Sequence, residues 1–78
     1  MSEDEELKAL YGLVNRTAKA MRKRLKEKML QGYRGWEWDE YIVRQRLTSS
    51  LRKKKWIDVC NLAAMLEHIK WKEAQHVD

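Results

Sequence analysis

The chain has 78 residues, a hydrophobic fraction of 44%, a charged fraction of 37% and a net charge of +5. This length allows a single helical domain, residues 1–78, with a small core, and the apolar content excludes a disordered chain. No apolar run approaches the roughly 18 residues of a membrane span. The positive charge excludes a DNA mimic and favours an anionic small molecule, a nucleic acid or an acidic protein surface as the partner.

The first predicted element is a long helix that starts at the N-terminus. Ser2 followed by Glu5 is a capping box, and the acidic residues around it suit the positive end of the helix dipole. Gln31 and Gly32 form a stop signal. Apolar residues at spacings of three and four predict one stripe that faces a partner helix: Leu7, Leu10, Val14, Ala18, Met21, Leu25 and Met29.

A glycine-containing loop and a second helix are predicted next. Gly32 and Gly35 lie three residues apart, which favours a loop, and the second helix is expected to begin between Trp36 and Glu40. Its looser apolar face comprises Tyr41, Ile42, Leu47 and Leu51.

A third helix is predicted to begin near Trp56 or Asp58, after a tight turn within the basic run 52–55. Its apolar stripe comprises Val59, Leu62, Ala63, Leu66 and Ile69, flanked by Cys60 and Met65. The tail 73–78 is expected to fray. The sequence therefore predicts an all-α protein, a three-helix antiparallel arrangement with a long first helix, completed by oligomerisation.

Positive charge is concentrated on the first helix and before the third. Four cations on the first helix share one face by their spacing: Lys19, Arg22, Lys23 and Lys26. Such a face can hold phosphates, because each cation near a phosphate releases counterions. The run Arg52, Lys53, Lys54 and Lys55 extends this basic surface. The alternative interpretation is a solvated face without a ligand, since long charged side chains normally populate exposed helix surfaces.

The aromatic residues beside the loop indicate where a ligand would bind. Trp36 and Trp38 lie two residues apart, so they cannot face the same way on one helix. We expect one to enter the core and the other to stack on a base or fill a dimer interface. The predicted ligand contacts are Arg22, Lys26, Arg34, Trp36 and Asn61.

Patterns for catalysis and metal binding are sparse. His68 and His76 lack a nearby nucleophile pattern, and Cys60 lies on an apolar face that favours inert packing. The carboxylates around Asp39 and at Asp58 lie near two helix starts, where they either cap the helices or bind magnesium weakly. We predict no catalytic residue, no metal site and no cofactor.

Two segments carry a resemblance to a known family. One is the basic segment 21–25 with the Gly-Trp loop that follows it. The other is Trp56-Ile57-Asp58-Val59-Cys60-Asn61-Leu62-Ala63-Ala64-Met65-Leu66, which resembles a D-V-A-N-F-A-M-M-L signature. This pattern is similar to small phage proteins described as the N-terminal domain of dATP/dGTP diphosphohydrolase, related to MazG-like pyrophosphohydrolases. The resemblance implies an α-helical, nucleotide-handling protein of phage origin.

The resemblance does not extend to the metal ligands of that family. MazG-like enzymes use an E-x-x-E pair and an E-x-x-D pair, because Mg²⁺ requires hard oxygen ligands that bridge to phosphate. In this chain Asp58 matches the final aspartate, Lys55 stands three residues earlier, and segment 46–51 contains no carboxylate. The resemblance therefore implies nucleotide handling without hydrolysis.

These observations lead to one principal hypothesis and three alternatives. The principal one is a non-catalytic phage-type module that binds a nucleotide or nucleotide-derived signal, with the countering of host defence as one expected use. The alternatives are an inhibitor of a host enzyme, a charge-driven nucleic-acid binder and a residual dNTP pyrophosphohydrolase. The single cysteine and the acidic N-terminus favour the cytoplasm, that of the host if the chain is phage-encoded, and no membrane partner. A homo-oligomer is expected.

Overall fold

The chain forms three α-helices in a computed structural model that describes residues 2–33 and 39–75. They are α1 (Glu3–Leu30), α2 (Glu40–Arg52) and α3 (Trp56–Gln75). The described ranges contain no β-strand, and the all-α prediction is confirmed. Helix α3 packs against both other helices, whereas the described parts of α1 and α2 do not pack against each other. The arrangement therefore consists of two helix pairs that share α3.

Both ends of α1 lie where the sequence predicts them. The Ser2 hydroxyl accepts a hydrogen bond from the Glu5 backbone N–H at 3.2 Å and caps the helix. At the other end, Gly32 has a φ of 98°, in the region that favours glycine. Its N–H donates to the Met29 carbonyl at 3.0 Å, which satisfies one of the last helical acceptors.

The α2 and α3 boundaries also follow local chemistry. The Asp39 carboxylate accepts from the Tyr41 N–H at 2.8 Å, so α2 begins at Glu40. Helix α2 ends at Arg52, and the predicted tight turn contains Lys54 at a φ of 57°. Helix α3 continues through Gln75, and residues 76–78 lie outside the described residues, so the fraying of the tail 73–78 stays a prediction.

The buried core is small. Among the described residues only Val43 and Asn61 are buried, each 5% exposed. Neither belongs to the predicted apolar stripes, and Tyr41, Leu51 and Ala63, which do, are exposed. The reason is that α2 packs on a single neighbour, so only a narrow arc around Val43 is covered. Helix α3 has neighbours on two sides, which moves its buried arc to include Asn61. The other predicted positions of α2 and α3 are half-buried: Ile42, Leu47, Val59, Leu62, Leu66 and Ile69.

The apolar stripe of α1 is only partly covered. Ala18 and Met21 are half-buried, as predicted for a stripe that faces a partner helix. The N-terminal part of the stripe is exposed, at Leu7, Leu10 and Val14. The molecule is accordingly open, with a radius of gyration of 15.2 Å. A compact domain of this length has a radius of gyration of about 11.5 Å.

Candidate functional site

A groove lies between the C-terminal part of α1, helix α2 and the first half of α3. It exists because α1 and α2 both pack on α3 without packing on each other. The interhelical groove encloses about 170 Å³. Its apolar lining consists of Leu25, Met29, Ile42, Val43, Leu62 and Met65. Its polar lining consists of Arg24, Lys28, Tyr33, Asp39, Arg46, Ser50, Asp58 and Asn61.

One wall of the groove contains an ion pair between α1 and α3. The Arg24 Nε donates to the Asp58 Oδ1 at 3.0 Å, and the Arg24 Nη1 lies 3.4 Å from the Glu27 Oε2. The hydrogen bond that Arg24 donates to Asp58 and the negative charge of Asp58 raise the pKa of Arg24 above its ordinary value, with a smaller contribution from Glu27. Arg24 therefore stays charged at all physiological pH values, and the carboxylate of Asp58 is engaged by it.

Asn61 presents a buried acceptor that receives no hydrogen bond from the described residues. Its Nδ2 donates to the Met21 carbonyl of α1 at 3.2 Å, whereas no residue in the described ranges donates to its Oδ1. This carbonyl fixes the amide orientation, because the opposite assignment would place two oxygens together. A buried acceptor without a hydrogen bond costs about 1–3 kcal/mol. The described residues therefore leave the Asn61 Oδ1 open to a donor from a ligand in the groove.

Two further cations line the groove, and they differ in whether another side chain of the protein contacts them. The Lys28 Nζ lies 4.6 Å from the centre of the Tyr33 ring, a distance typical of a cation–π contact. Arg46 is exposed on α2 and has no ion-pair partner within residues 2–33 and 39–75. The two carboxylates of the lining are both engaged, Asp39 as the cap of α2 and Asp58 with Arg24. Lys28 and Arg46 are thus the cations placed to meet an anion.

The predicted ligand contacts do not all meet in the groove. Asn61 lines it, whereas Arg22 and Lys26 are exposed on α1 and are not part of the lining. Arg34 and Trp36 lie outside the described residues, between Tyr33 and Asp39, which both line the groove.

Sequence reasoning did not include the three cations of the groove, Arg24, Lys28 and Arg46, among the predicted ligand contacts. Arg24 and Lys28 lie four residues apart on the same side of α1 as Met21. Cations within an apolar stripe are a signal for a charged site at a helix interface, and this signal was available. No comparable signal marks Arg46, because its position in the groove depends on how α2 packs against α3.

The predicted basic surface is exposed throughout. Lys19 and Lys23 lie on the outside of α1 with Arg22 and Lys26, and the residues of the run 52–55 are exposed around the turn before α3. Exposure agrees both with a phosphate-binding face and with a solvated one. A ligand on this surface stays a prediction.

Metal ligands do not cluster in the described part of the chain. No three His, Cys, Asp or Glu residues there lie close enough together to hold a metal ion. Cys60 is a free, half-buried thiol. The described helices also include none with the length and apolar character needed to cross a bilayer.

Comparisons with known proteins give no family assignment. No family model, curated protein or solved structure matches this chain. The resemblance to small phage proteins therefore stays a prediction, and the functional argument depends on the geometry of the groove.

Proposed function

We propose that this protein is a non-catalytic module that binds a nucleotide or nucleotide-derived anion in the interhelical groove. The observation that carries the proposal is the Oδ1 of Asn61, a buried acceptor without a described donor in a wall that also holds cations. A ligand that combines a hydrogen-bond donor, an apolar ring and a negative charge complements the acceptor, the apolar lining and the cations. A nucleotide combines all three.

The size of the groove suggests how such a ligand would lie. Its volume of about 170 Å³ is below the roughly 300–1,000 Å³ of common ligand pockets, so it can enclose only part of a nucleotide. We place the base against Ile42 and Leu62, with an exocyclic N–H donating to Asn61. The phosphates then remain at the rim, near Lys28 and Arg46, where they stay partly hydrated.

Isothermal titration calorimetry with ATP, dATP, GTP and cyclic dinucleotides tests this proposal. Arg46→Gln and Lys28→Gln should each weaken binding by about tenfold or more, because a hydrogen bond to a charged group contributes about 1.5–3 kcal/mol and about 1.4 kcal/mol is a factor of ten. Arg44→Gln is the matched control for Arg46, since Arg44 is exposed on the same helix and does not line the groove.

Lys26→Gln is the matched control for Lys28, because Lys26 is exposed on α1 away from the groove. Both controls should bind as the unchanged protein does. Absence of heat across all probes would contradict the proposal. Equal losses in the groove variants and the controls would contradict it as well.

A charge-driven nucleic-acid binder is the second candidate. It is favoured by the exposure of the four cations that share the outer face of α1: Lys19, Arg22, Lys23 and Lys26. Affinity for DNA or RNA would then fall steeply with salt and ignore sequence. Lys26→Gln would weaken binding at least as much as Lys28→Gln, which is the reverse of the expectation for the groove.

The biological setting belongs to the same proposal. The resemblance supports a phage origin and a role against host defence, and the lone cysteine supports the cytoplasm. The hydrogen bond between Arg24 and Asp58 supports the proposal that the module has no catalytic activity, because Asp58 is the residue that matches a metal ligand of MazG-like enzymes and its carboxylate already binds Arg24. Inhibition of a host enzyme stays a prediction.

A further inference from the structure

The side of α2 that faces away from α3 forms a continuous exposed surface. Among the described helices α2 packs only on α3, and its buried residue Val43 marks the packed side. Five exposed residues lie on the opposite side by their helical spacing and line one shallow depression. We call them the α2 outer face: Tyr41, Arg44, Gln45, Thr48 and Arg52.

Positive charge on this surface continues into the turn before α3. The segment 41–57 contains six cations and no carboxylate. Arg46 lines the groove, whereas Arg44, Arg52 and the lysines at 53–55 do not. These five are exposed, and none of them forms an ion pair with another described residue. Cations held in this way, without carboxylates to neutralise them, attract a polyanion, because each phosphate that they meet releases counterions.

Exposed aromatic rings distinguish this surface from the basic part of α1. Tyr41, at the start of α2, is 65% exposed, and Trp56, directly after the turn, is 56% exposed. The basic segment 16–28 of α1 contains no aromatic residue. Cations that follow a phosphate backbone, together with rings on which bases stack, are the combination that binds single-stranded nucleic acid. An acidic protein surface would contact the cations but would supply no base to stack on the rings.

We infer that the α2 outer face and the turn 53–55 bind a single-stranded nucleic acid. Arg44, Arg52 and the lysines of the turn contact phosphates, and a base stacks on Tyr41. Tyr41 and Arg52 are about 17 Å apart along the helix axis, so the surface spans several nucleotides rather than one. It shares no residue with the groove. Strand binding is therefore independent of nucleotide binding in the groove, and either can fail alone.

Fluorescence anisotropy with a labelled oligothymidylate tests this inference on the full chain. The oligothymidylate should bind about tenfold more tightly than an abasic strand of equal length, because the two carry the same phosphates and only the first has bases that stack. Polyglutamate and a duplex of equal length should compete weakly. Equal affinity for the abasic strand or for polyglutamate would overturn the inference, since binding would then depend on charge alone. Tighter binding of the duplex would overturn it as well.

Two pairs of charge variants test where the strand binds. Arg44→Gln with Arg52→Gln should weaken oligothymidylate binding by about tenfold or more and reduce its dependence on salt, because two phosphate contacts are lost. Lys19→Gln with Lys23→Gln is the matched control, since it removes the same charge from exposed positions on α1. It should change the affinity much less. An equal or larger loss in the α1 pair would overturn the inference.

A tyrosine variant tests the stacking contact separately from the charges. Tyr41→Leu should weaken oligothymidylate binding by about tenfold and leave binding of the abasic strand unchanged. Tyr11→Leu is the matched control, because Tyr11 is 60% exposed on α1, outside this surface, and it should bind as the unchanged protein does. Circular dichroism checks that each variant keeps its helix content. An unchanged protein that does not bind oligothymidylate, or a folded Tyr41 variant that binds it equally well, would overturn the inference.

Discussion

Asn61 is the buried side chain on which the candidate site depends. Its amide joins α3 to α1 through the Met21 carbonyl, while its Oδ1 lacks a described donor. Selection for stability alone would favour an apolar residue at this position, because a buried acceptor without a hydrogen bond lowers the free energy of unfolding. A polar residue that is costly for stability and lies in a groove is typical of a binding site.

Two replacements of Asn61 test how its buried amide contributes to the stability of the fold. Asn61→Asp should lower the free energy of unfolding by about 2–4 kcal/mol, because it buries a charge and turns an oxygen toward the Met21 carbonyl. Asn61→Leu should change it by less than about 1 kcal/mol, because the unpaired acceptor is removed along with the hydrogen bond. Urea denaturation measures both values. An Asp variant as stable as the unchanged protein would contradict this environment for Asn61.

For single residues, the sequence predicts which side chains can bind a ligand better than it predicts where those side chains lie in the fold. Asn61 was recognisable as a candidate because its amide is suited to contact a base and because it lies in the segment 56–66 that carries the resemblance. Its burial was not predictable, since it depends on α1 and α2 approaching α3 from two sides. Arg22 and Lys26 were selected for their charge, but helical periodicity directs them away from the face that Arg24 and Lys28 occupy.

At the scale of helices and turns, the boundaries were largely predictable because short-range chemistry fixes them. The hydroxyl of Ser2, the carboxylate of Asp39 and the backbone of Gly32 each act within a few residues of their own position. The turn before α3 was also predicted, but the conformation of Lys54 was not. Lysine has no preference for a positive φ, so the requirement to reverse the chain must impose it.

The strain at Lys54 leads to a prediction with a matched control. Lys54→Gly should raise the free energy of unfolding by about 0.5–1 kcal/mol, because glycine adopts a φ of 57° without a steric cost. Lys53→Gly should lower it by about 0.5–1 kcal/mol, because Lys53 has a φ of –84° and glycine there only adds freedom to the unfolded chain. Both changes remove one positive charge, so thermal or urea denaturation compares the backbone effects directly. The same sign for both variants would contradict this explanation.

For the whole molecule, the sequence predicts three helices but not which of them is central. Each apolar stripe indicates that a helix has a neighbour, and none indicates which one. The central place of α3 leaves α1 and α2 separated, and this separation creates the groove. It also leaves Leu7, Leu10 and Val14 of α1 exposed.

A titration followed by NMR tests the central claim, ligand binding in the groove, most directly. We expect ATP or a cyclic dinucleotide to shift the side-chain amide signal of Asn61 and the backbone signals of Arg46 and Lys28, with saturation at one site. The signals of Lys19 and Lys23 on the outer face of α1 should hardly move. Shifts confined to that outer face, without saturation and abolished by moderate salt, would contradict the claim.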